Sequence, residues 1–209
     1  MESLSPPTED LAGTLPPTAA RLCAAAKRIL SERGFRDLTI DAVAREAGEY
    51  KASVAYYFGN KSGLLAAVAD SVYPRDLCMA TVAEAEKHPP GEERVRAQMV
   101  GLQRMADDRD SMRALWELLP HILRDEQLRS DLSAVYDWYR RLDVRMFGVD
   151  CDDCEELMYA GALVVAAVDG FALQACLDPE GFDLEKAFAV LQRLVTSYVD
   201  SLQHGGEAA

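Results

Sequence analysis

Apolar residues recur at helical spacing in two short blocks between Thr39 and Lys61. In the first block they fall at i, i+3, i+4 and i+7, one face of a helix, and they are Ile40, Val43, Ala44 and Ala47. Thr39 precedes this block as an N-cap residue would, and Gly48 follows it where a glycine commonly ends a helix. In the second block Val54 and Phe58 lie one turn apart. Two short helices joined by a tight turn containing glycine outline a helix-turn-helix.

Helical spacing continues along the rest of the chain, without a strand pattern. A helix from Thr18 to about Arg33, ended by Gly34, completes a three-helix head. A fourth helix is predicted to begin at Asn60 or Lys61. Later helices are predicted to begin at Asp76, Glu92, Ser111, Asp125 or Glu126, Asp152 or Asp153, and Asp183. The predicted fold class is therefore all-α.

The chain divides into three predicted regions. Residues 1–17 hold four of the nine prolines and few large apolar residues, which predicts a flexible arm. Residues 18–73 form the helix-turn-helix head, and residues 74–209 form a C-terminal helical bundle. In sequence the two are joined by residues 61–88, with Pro74 as the expected hinge because proline breaks or kinks a helix.

The second helix of the pair carries more polar and aromatic side chains than a core element needs. Its apolar face requires only Val54, Ala55 and Phe58. Tyr56 and Tyr57 point about 100° apart on a helix, so both can hardly be buried. Together with Lys51, Ser53 and Lys61 they suit phosphate and thymine-methyl contacts in a major groove. The alternative is an ordinary surface helix whose tyrosines keep their hydroxyls in water.

The segment AREAGEYKASVAYYFGNKSGLL resembles the DNA-binding signature of the TetR family of one-component transcriptional regulators. The matching residues are Ala47, Gly48, Lys51, Ala52, Ser53, Val54, Tyr56, Tyr57, Phe58 and Lys61, and Gly34, Phe35 and Thr39 upstream also fit. Tyr50 replaces a small capping residue of the family, and Ala55 replaces a tyrosine that commonly touches phosphate. The resemblance implies double-stranded DNA as partner, with DNA-facing residues Thr39, Lys51, Ala52, Ser53, Tyr56, Tyr57 and Lys61.

The net charge of -13 informs on DNA binding only when it is assigned to the separate regions of the chain. Residues 18–73 hold eight Lys/Arg and six Asp/Glu, a net charge of +2. Residues 1–17 carry a net charge of -3 and residues 74–209 carry -12. Repulsion between this acidic bundle and phosphate would orient the head toward DNA, although an acidic surface also simply keeps proteins dissolved.

The last two helices predict a second subunit. Leu184, Phe188, Leu191, Val195, Tyr198 and Leu202 are spaced 4, 3, 4, 3 and 4, as in a helix packed lengthwise on another. The preceding helix is apolar nearly all round and must be covered on nearly all sides, either by a second copy or by the rest of one chain. We expect a homodimer interface at or beside Ala162, Ala166, Gly170, Phe188, Leu191, Val195 and Tyr198.

Methionine and aromatic side chains recur on the middle helices, and such side chains adapt to irregular apolar ligands. Ordinary core filling is the alternative for each of them. The resemblance implies a cavity for a small-molecule effector, and Asp169 needs a partner wherever it is buried: an Arg or Tyr of a second subunit, or a ligand amine. The predicted ligand-binding residues are Met99, Leu102, Trp116, Tyr136, Tyr139, Val165 and Asp169.

Several function classes lack support in the sequence. No nucleophile–base constellation, phosphate loop or metal-ligand set is recognisable, so we expect no enzyme, no catalytic residue, no bound metal and no cofactor. Cys151 and Cys154 have C-x-x-C spacing, and a polar loop explains them as well as a redox or zinc site does. No signal peptide or uninterrupted apolar span of transmembrane length is visible, which predicts a cytoplasmic protein without membrane contact.

These observations together predict a dimeric repressor that binds a palindromic operator and is released by a small molecule. An activator, a regulator without ligand and a helical adaptor without DNA binding are the alternatives.

Overall fold

The structure is a computed structural model that describes residues 15–72, 75–148 and 155–205, and every regular element in those ranges is helical. The all-α prediction is therefore confirmed. A short 3-10 helix, Phe35–Asp37, follows the first α-helix. The α-helices are α1 Pro17–Arg33, α2 Ile40–Ala47, α3 Lys51–Phe58, α4 Lys61–Asp70, α5 Arg75–Ala85, α6 Glu92–Ala106, α7 Arg109–Ile122, α8 Glu126–Phe147, α9 Glu155–Leu177 and α10 Leu184–Gly205.

The helices group into two compact units that do not follow the order of the sequence. The first unit contains α1–α4 together with residues 109–135, and the second contains residues 75–108 together with the chain from Tyr136 onward. The chain thus passes between the units three times: after residue 74, after Asp108 and within α8. Residues 61–88 contain one of these three passages, so their role as the link between head and bundle stays a prediction, and the predicted hinge at Pro74 lies outside the described residues.

The first unit packs α2, α3 and α4 onto α1, and α7 packs against α1 and α4. Its fully buried side chains come from all five of these helices and include Leu22, Ile29, Val43, Val54, Leu64, Val68, Leu118 and Ile122. Ser111 is also buried and accepts a hydrogen bond from Lys27 Nζ at 2.8 Å. The predicted cap at Ser111 is therefore wrong: α7 begins two residues earlier, at Arg109, and the Ser111 hydroxyl joins α7 to α1 instead.

In the second unit close helix contacts depend on two glycines. A Cβ at Gly101 of α6 would lie 2.2 Å from Thr81 of α5, and one at Gly161 of α9 would lie 2.6 Å from the backbone oxygen of Arg140. Both distances are far below van der Waals contact, so each helix pair approaches more closely than any larger residue permits. The inward stripe of α10 completes the core with Phe188, Leu191, Val195 and Val199.

Helix α9 is unusually apolar. It has 23 residues and a mean hydropathy of 1.8 over its best window, so by length and composition alone it is long and apolar enough to cross a membrane. Because α9 contains Glu155, Glu156 and Asp169, it is not an uninterrupted apolar span, and the expected absence of membrane contact stays a prediction. Core helices of water-soluble proteins meet the same criterion of length and composition. In this chain only 28% of the window is buried.

Candidate nucleic-acid interface

A side-chain cap and a glycine set the two ends of α2, the first helix of the candidate interface. The Thr39 hydroxyl accepts a hydrogen bond from the backbone N–H of Ala42 at 3.1 Å, as an N-cap does. Gly48 ends α2 with φ +67° in the left-handed region, where glycine carries no Cβ penalty. Helix α3 starts at Lys51, and its N-cap residue, Tyr50, makes no side-chain capping hydrogen bond. The helix-turn-helix predicted from spacing is present.

The buried face of α3 differs from the predicted one by one residue. Val54 is fully buried, and Tyr57 and Phe58 pack half-buried against the core of the first unit. Ala55, expected on the inner face, is exposed. The stripe at i, i+3 and i+4 therefore runs through Tyr57, whose phenol ring packs inward while its hydroxyl end is free to stay near solvent.

The outward face of α3 carries Lys51, Ala52 and Tyr56, and Ser53 is half-buried beside them. Tyr56 is 81% exposed, and Tyr50 immediately before the helix is 85% exposed. An aromatic ring held almost entirely in water covers no core surface, so these two tyrosines are available to a partner. The sequence identified Tyr56, but it marked Tyr50 only as a departure from the family pattern. Its place at the N-terminus of a reading helix was the signal that could have found it.

Acidic neighbours already engage part of the positive charge of the head. Lys51 Nζ lies 3.0 Å from a carboxylate oxygen of Asp41, and both side chains are more than half exposed. An exposed pair of this kind contributes little to stability, so it can open without much cost. Further ion pairs among the described residues of the head include Arg21–Glu49, Arg28–Glu46 and Arg33–Glu46.

Lys61 is held against the body of the head. It is the first residue of α4, directly after Asn60, whose side chain accepts a hydrogen bond from the backbone N–H of Gly63 at 2.9 Å. Lys61 Nζ lies 4.5 Å from the centroid of the Phe35 ring, in cation–π geometry. The half-buried Lys61 is thus placed beside the C-terminal end of α3, and its contact with DNA stays a prediction.

Among the predicted effector residues, Tyr136 and Asp169 meet in the second unit. The Tyr136 hydroxyl donates to Asp169 Oδ2 at 2.7 Å. Burial raises the pKa of Tyr136 well above its usual range, and the negative charge of Asp169 raises it further, so the phenol remains a donor. The partner that Asp169 requires therefore belongs to the same chain. The Tyr139 ring lies beside this pair, 6.3 Å from the Tyr136 ring between centroids.

The other predicted effector residues do not form one cluster within a unit. Met99 is buried and Leu102 and Val165 are half-buried in the second unit, whereas Trp116 belongs to the first. Trp116 lines a surface cleft of about 370 Å³ with residues 30–34. Two clefts of the second unit, about 540 Å³ between α5 and α6 and about 340 Å³ beside α10, are lined by other residues. The effector site stays a prediction.

The second unit exposes an apolar stripe that we call the α9–α10 face. On α9 it follows heptad spacing through Tyr159, Leu163, Ala166, Gly170, Leu173 and Leu177, and on α10 it continues with Val190 and Leu194. Of the predicted interface residues, Ala162 and Tyr198 are half-buried, and Ala166 and Gly170 lie in the stripe. Phe188, Leu191 and Val195 are buried in the chain's own core, so they can lie only beside a contact with another chain.

Metal-binding and thiol groups add no second site in the described residues. No group of three or more His, Cys, Asp or Glu side chains there is arranged to hold a metal ion. Burial raises the pKa of the Cys23 thiol, which keeps it protonated. Cys151 and Cys154 lie outside the described residues.

Comparison with known families and structures identifies the relatives of the chain. Residues 22–68 match the family described as bacterial regulatory proteins, tetR family, and residues 79–201 match the tetracyclin repressor-like C-terminal domain. No curated protein matches the chain.

Solved structures share the fold at low sequence identity. A transcriptional regulator from Pseudomonas aeruginosa PAO1 is 19% identical, with a TM-score of 0.72 over 89% of this chain and 92% of its own. A TetR family member from Streptomyces coelicolor A3 is 24% identical, with a TM-score of 0.62 over 86% and 98%. A transcriptional regulator from Saccharomonospora viridis in complex with choline is 19% identical, with a TM-score of 0.60 over 87% and 95%.

Proposed function

Because the chain belongs to the TetR family of DNA-binding transcriptional regulators, which are not enzymes, we propose that it is a homodimeric repressor released from a palindromic operator by a small molecule. A bacterial regulator of this kind acts in the cytoplasm. An activator of the same fold or a regulator without a ligand is the alternative, and both would use the same contact with DNA.

The observation that carries the proposal is the outward face of α3. It presents Tyr50 and Lys51 at the N-terminal end of a short helix, where a recognition helix reads base edges, and the almost fully exposed ring of Tyr56 one to two turns further along. Lys51, Ser53, Tyr56 and Lys61 supply the cationic and hydroxyl groups that bind phosphate, and ring edges suit thymine methyl groups. The Tyr56 ring lies edge-on to the Tyr57 ring, with centroids 4.8 Å apart, and still leaves 81% of the residue in water.

The experiment that tests DNA recognition starts from genomic mapping of binding sites, which supplies the operator. Affinity for that operator is then measured by fluorescence anisotropy over a series of salt concentrations for wild type, Lys61→Ala and Lys87→Ala. Lys87 is an exposed lysine of the second unit and serves as the control. Lys61→Ala should weaken binding and reduce the salt slope by about 0.9. Equal slopes for all three proteins would show that Lys61 makes no phosphate contact.

The dimer is supported by the α9–α10 face. Leu163, Leu177 and Leu194 are each more than 60% exposed within a single chain. Their removal from water by a second copy would contribute about 25 cal/mol per Å² of apolar surface buried. The heptad spacing of the α9 stripe suits two-fold packing of helices, in which the same patch is used by both chains.

Gly170 gives a clean test of this interface. A Cβ at Gly170 meets no atom of the described residues within 4 Å, so a larger side chain begins in open space in a single chain, whereas a closely packed partner would clash with it. We expect Gly170→Leu and Leu163→Glu to sediment as folded monomers. Val100→Glu, which changes an exposed apolar residue of α6 away from the stripe, should remain dimeric. If Gly170→Leu and Leu163→Glu both dimerise with unchanged affinity, the interface lies elsewhere.

Release by an effector is supported by the family and by the part-buried pair of Tyr136 and Asp169 in the second unit. The structural relative from Saccharomonospora viridis was solved with choline. A cation of that kind would find a carboxylate and two phenol rings at Asp169, Tyr136 and Tyr139. A hundredfold loss of operator affinity requires about 2.7 kcal/mol of coupling.

The effector proposal is tested by titrating choline, and then a panel of apolar amines, into the protein–operator complex. A compound that releases wild type should fail to release Tyr139→Ala, whose operator binding without compound should remain nearly intact. Trp116→Ala tests whether the first unit takes part in the effector site. If the site lies wholly in the second unit, the compound should release this variant from the operator as it releases wild type. A Tyr139→Ala protein with wild-type release would remove Tyr139 from the site.

A further inference from the structure

Two residues of α7 reach the turn that leads into the helix-turn-helix. In sequence α7 lies within the part of the chain that matches the C-terminal domain, but in the structure it packs with the head in the first unit. Glu117 and His121 lie one helical turn apart on its surface, where residues at i and i+4 are neighbours. Neither is needed to fill the core, since Glu117 is exposed and His121 is half-buried.

Both side chains contact Phe35. The Glu117 carboxylate accepts a hydrogen bond from the backbone N–H of Phe35 at 3.0 Å. The His121 ring stacks on the Phe35 ring, with centroids 3.4 Å apart and planes within 16°. Gly34, with φ +79°, brings the chain close to Glu117, and a Cβ there would lie 3.2 Å from the carboxylate. Backbone and ring of Phe35 are thus both fixed by α7.

Phe35 in turn contacts Lys61. The Lys61 ammonium group lies 4.5 Å from the centroid of the Phe35 ring. A cation in that position is attracted by the ring and loses much of the freedom of a surface lysine. The contacts therefore run without a gap from Glu117 and His121 through Phe35 to the cation that follows the reading helix.

We propose that Glu117 and His121 are positioning residues that hold Lys61, through Phe35, where it contacts the phosphate backbone. This inference rests on the proposed function, because it requires that Lys61 binds DNA. It assigns to α7 an influence on operator affinity, because a displacement of α7 would release Phe35 and with it the Lys61 ammonium group. The chain connects this helix to the second unit at both ends, after Asp108 and within α8.

A double-mutant cycle on the folded full-length protein tests the proposal, with the mapped operator as probe. Operator affinity and its salt slope are measured for His121→Ala, His121→Phe, Lys61→Ala and His121→Ala combined with Lys61→Ala. We expect His121→Ala to weaken binding by about two- to fivefold, the range that loss of a cation–π restraint allows. His121→Phe keeps a ring to stack on Phe35 and should bind like wild type. In the Lys61→Ala background, His121→Ala should change nothing further.

Glu117 supplies an independent arm that does not disturb the ring stack. Glu117→Gln keeps an oxygen to accept the Phe35 N–H and should bind operator like wild type, whereas Glu117→Ala should weaken binding as His121→Ala does. A substitution at an exposed residue of the same helix about two turns before Glu117, Asp110→Asn, is the control and should not weaken binding. Thermal unfolding of each variant confirms that the compared proteins are folded.

Three outcomes overturn the proposal, and they can be told apart. Equal losses from His121→Ala with and without Lys61 would mean that His121 acts by another route. Failure of His121→Phe and Glu117→Gln to restore binding would mean that the stack and the hydrogen bond are not what matters. If Lys61→Ala itself leaves affinity and salt slope unchanged, the DNA contact under the proposed function fails, and the positioning role fails with it.

Discussion

Asp143 makes the stability of the protein depend on pH in an unusual direction. Its carboxyl group, on α8, is buried and accepts one hydrogen bond, from Gln98 Nε2 of α6 at 2.7 Å. Burial raises the pKa of Asp143 from 3.8 to about 8, and the hydrogen bond from Gln98 only partly opposes that rise. Gln98 Oε1 is buried without a hydrogen-bond partner among the described residues, and a neutral Asp143 carries the donor that this oxygen lacks.

The sign of the effect follows from proton binding. Between the ordinary pKa of 3.8 and the folded value of about 8, the folded protein holds a proton on Asp143 that the unfolded chain has lost. Stability therefore falls as pH rises through this window, by up to about 1.4 kcal/mol per pH unit. Between about pH 5 and about pH 7.5 the loss is about 3 kcal/mol, or roughly 6–12 °C in melting temperature for a chain of this size.

Asp143→Asn removes the titration and keeps the shape of the neutral side chain. Urea unfolding at fixed protein concentration, at about pH 5 and about pH 7.5, should show the variant gaining about 3 kcal/mol relative to wild type at the higher pH. Asp137→Asn is the control on the same helix. A hydrogen bond from Arg141 lowers the pKa of Asp137, so its contribution is lost only below its ordinary 3.8, outside this window. If wild type and Asp143→Asn differ equally at both pH values, Asp143 is ionised in the folded protein and the reasoning fails.

Three further predictions concern single contacts. Asp41→Asn should tighten operator binding about two- to fivefold by freeing Lys51, measured by anisotropy at low salt, with a weaker effect at high salt because the pair is exposed; an unchanged affinity would mean that Lys51 does not reach DNA. Gly101→Ala should destabilise the protein by about 1–3 kcal/mol through its clash with Thr81, and Thr81→Ala should relieve that loss in urea unfolding, so additive losses would count against the close approach. Tyr50→Ala should alter preference among operator variants in a competition assay and not merely lower all affinities together; a uniform loss would make Tyr50 a phosphate contact only.

Local patterns were sufficient wherever a short stretch of chain decides its own structure. The N-cap at Thr39 and the left-handed Gly48 depend on hydrogen bonds within a few residues, and both are as expected, as is the start of α4 at Lys61. Asp183 likewise caps α10 by accepting the backbone N–H of Lys186 at 3.0 Å. The spacing of apolar residues fixed the helix-turn-helix, and the signature within it indicated the family.

Patterns failed where two faces of one helix were equally apolar or where a polar group chose a distant partner. In α3 the ring of Tyr57 was predicted to be exposed and Ala55 to be buried. A tyrosine can lie on a buried face or on a solvent-exposed face, so the sequence did not distinguish the two. In α7 the sequence alone allowed the Ser111 hydroxyl to cap its own helix. In the structure that hydroxyl instead accepts a hydrogen bond from Lys27 of α1.

The tertiary structure alone decided which residues α9 turns outward and which helices fold together. Periodicity identifies a buried face by contrast with a polar one, and α9 offers no such contrast, so only its packing left Leu163 and Leu177 exposed. No pattern of neighbouring residues predicts that α7 packs with the first three helices. Phe35 and Glu117, which are joined by a hydrogen bond, are 82 residues apart in the chain. By itself the sequence determined the helices and which of them is the recognition helix, because these features depend on residues that are close in the chain. The packing of α7 with the head and the pairing of Asp169 with Tyr136 depend on residues that are close only in space.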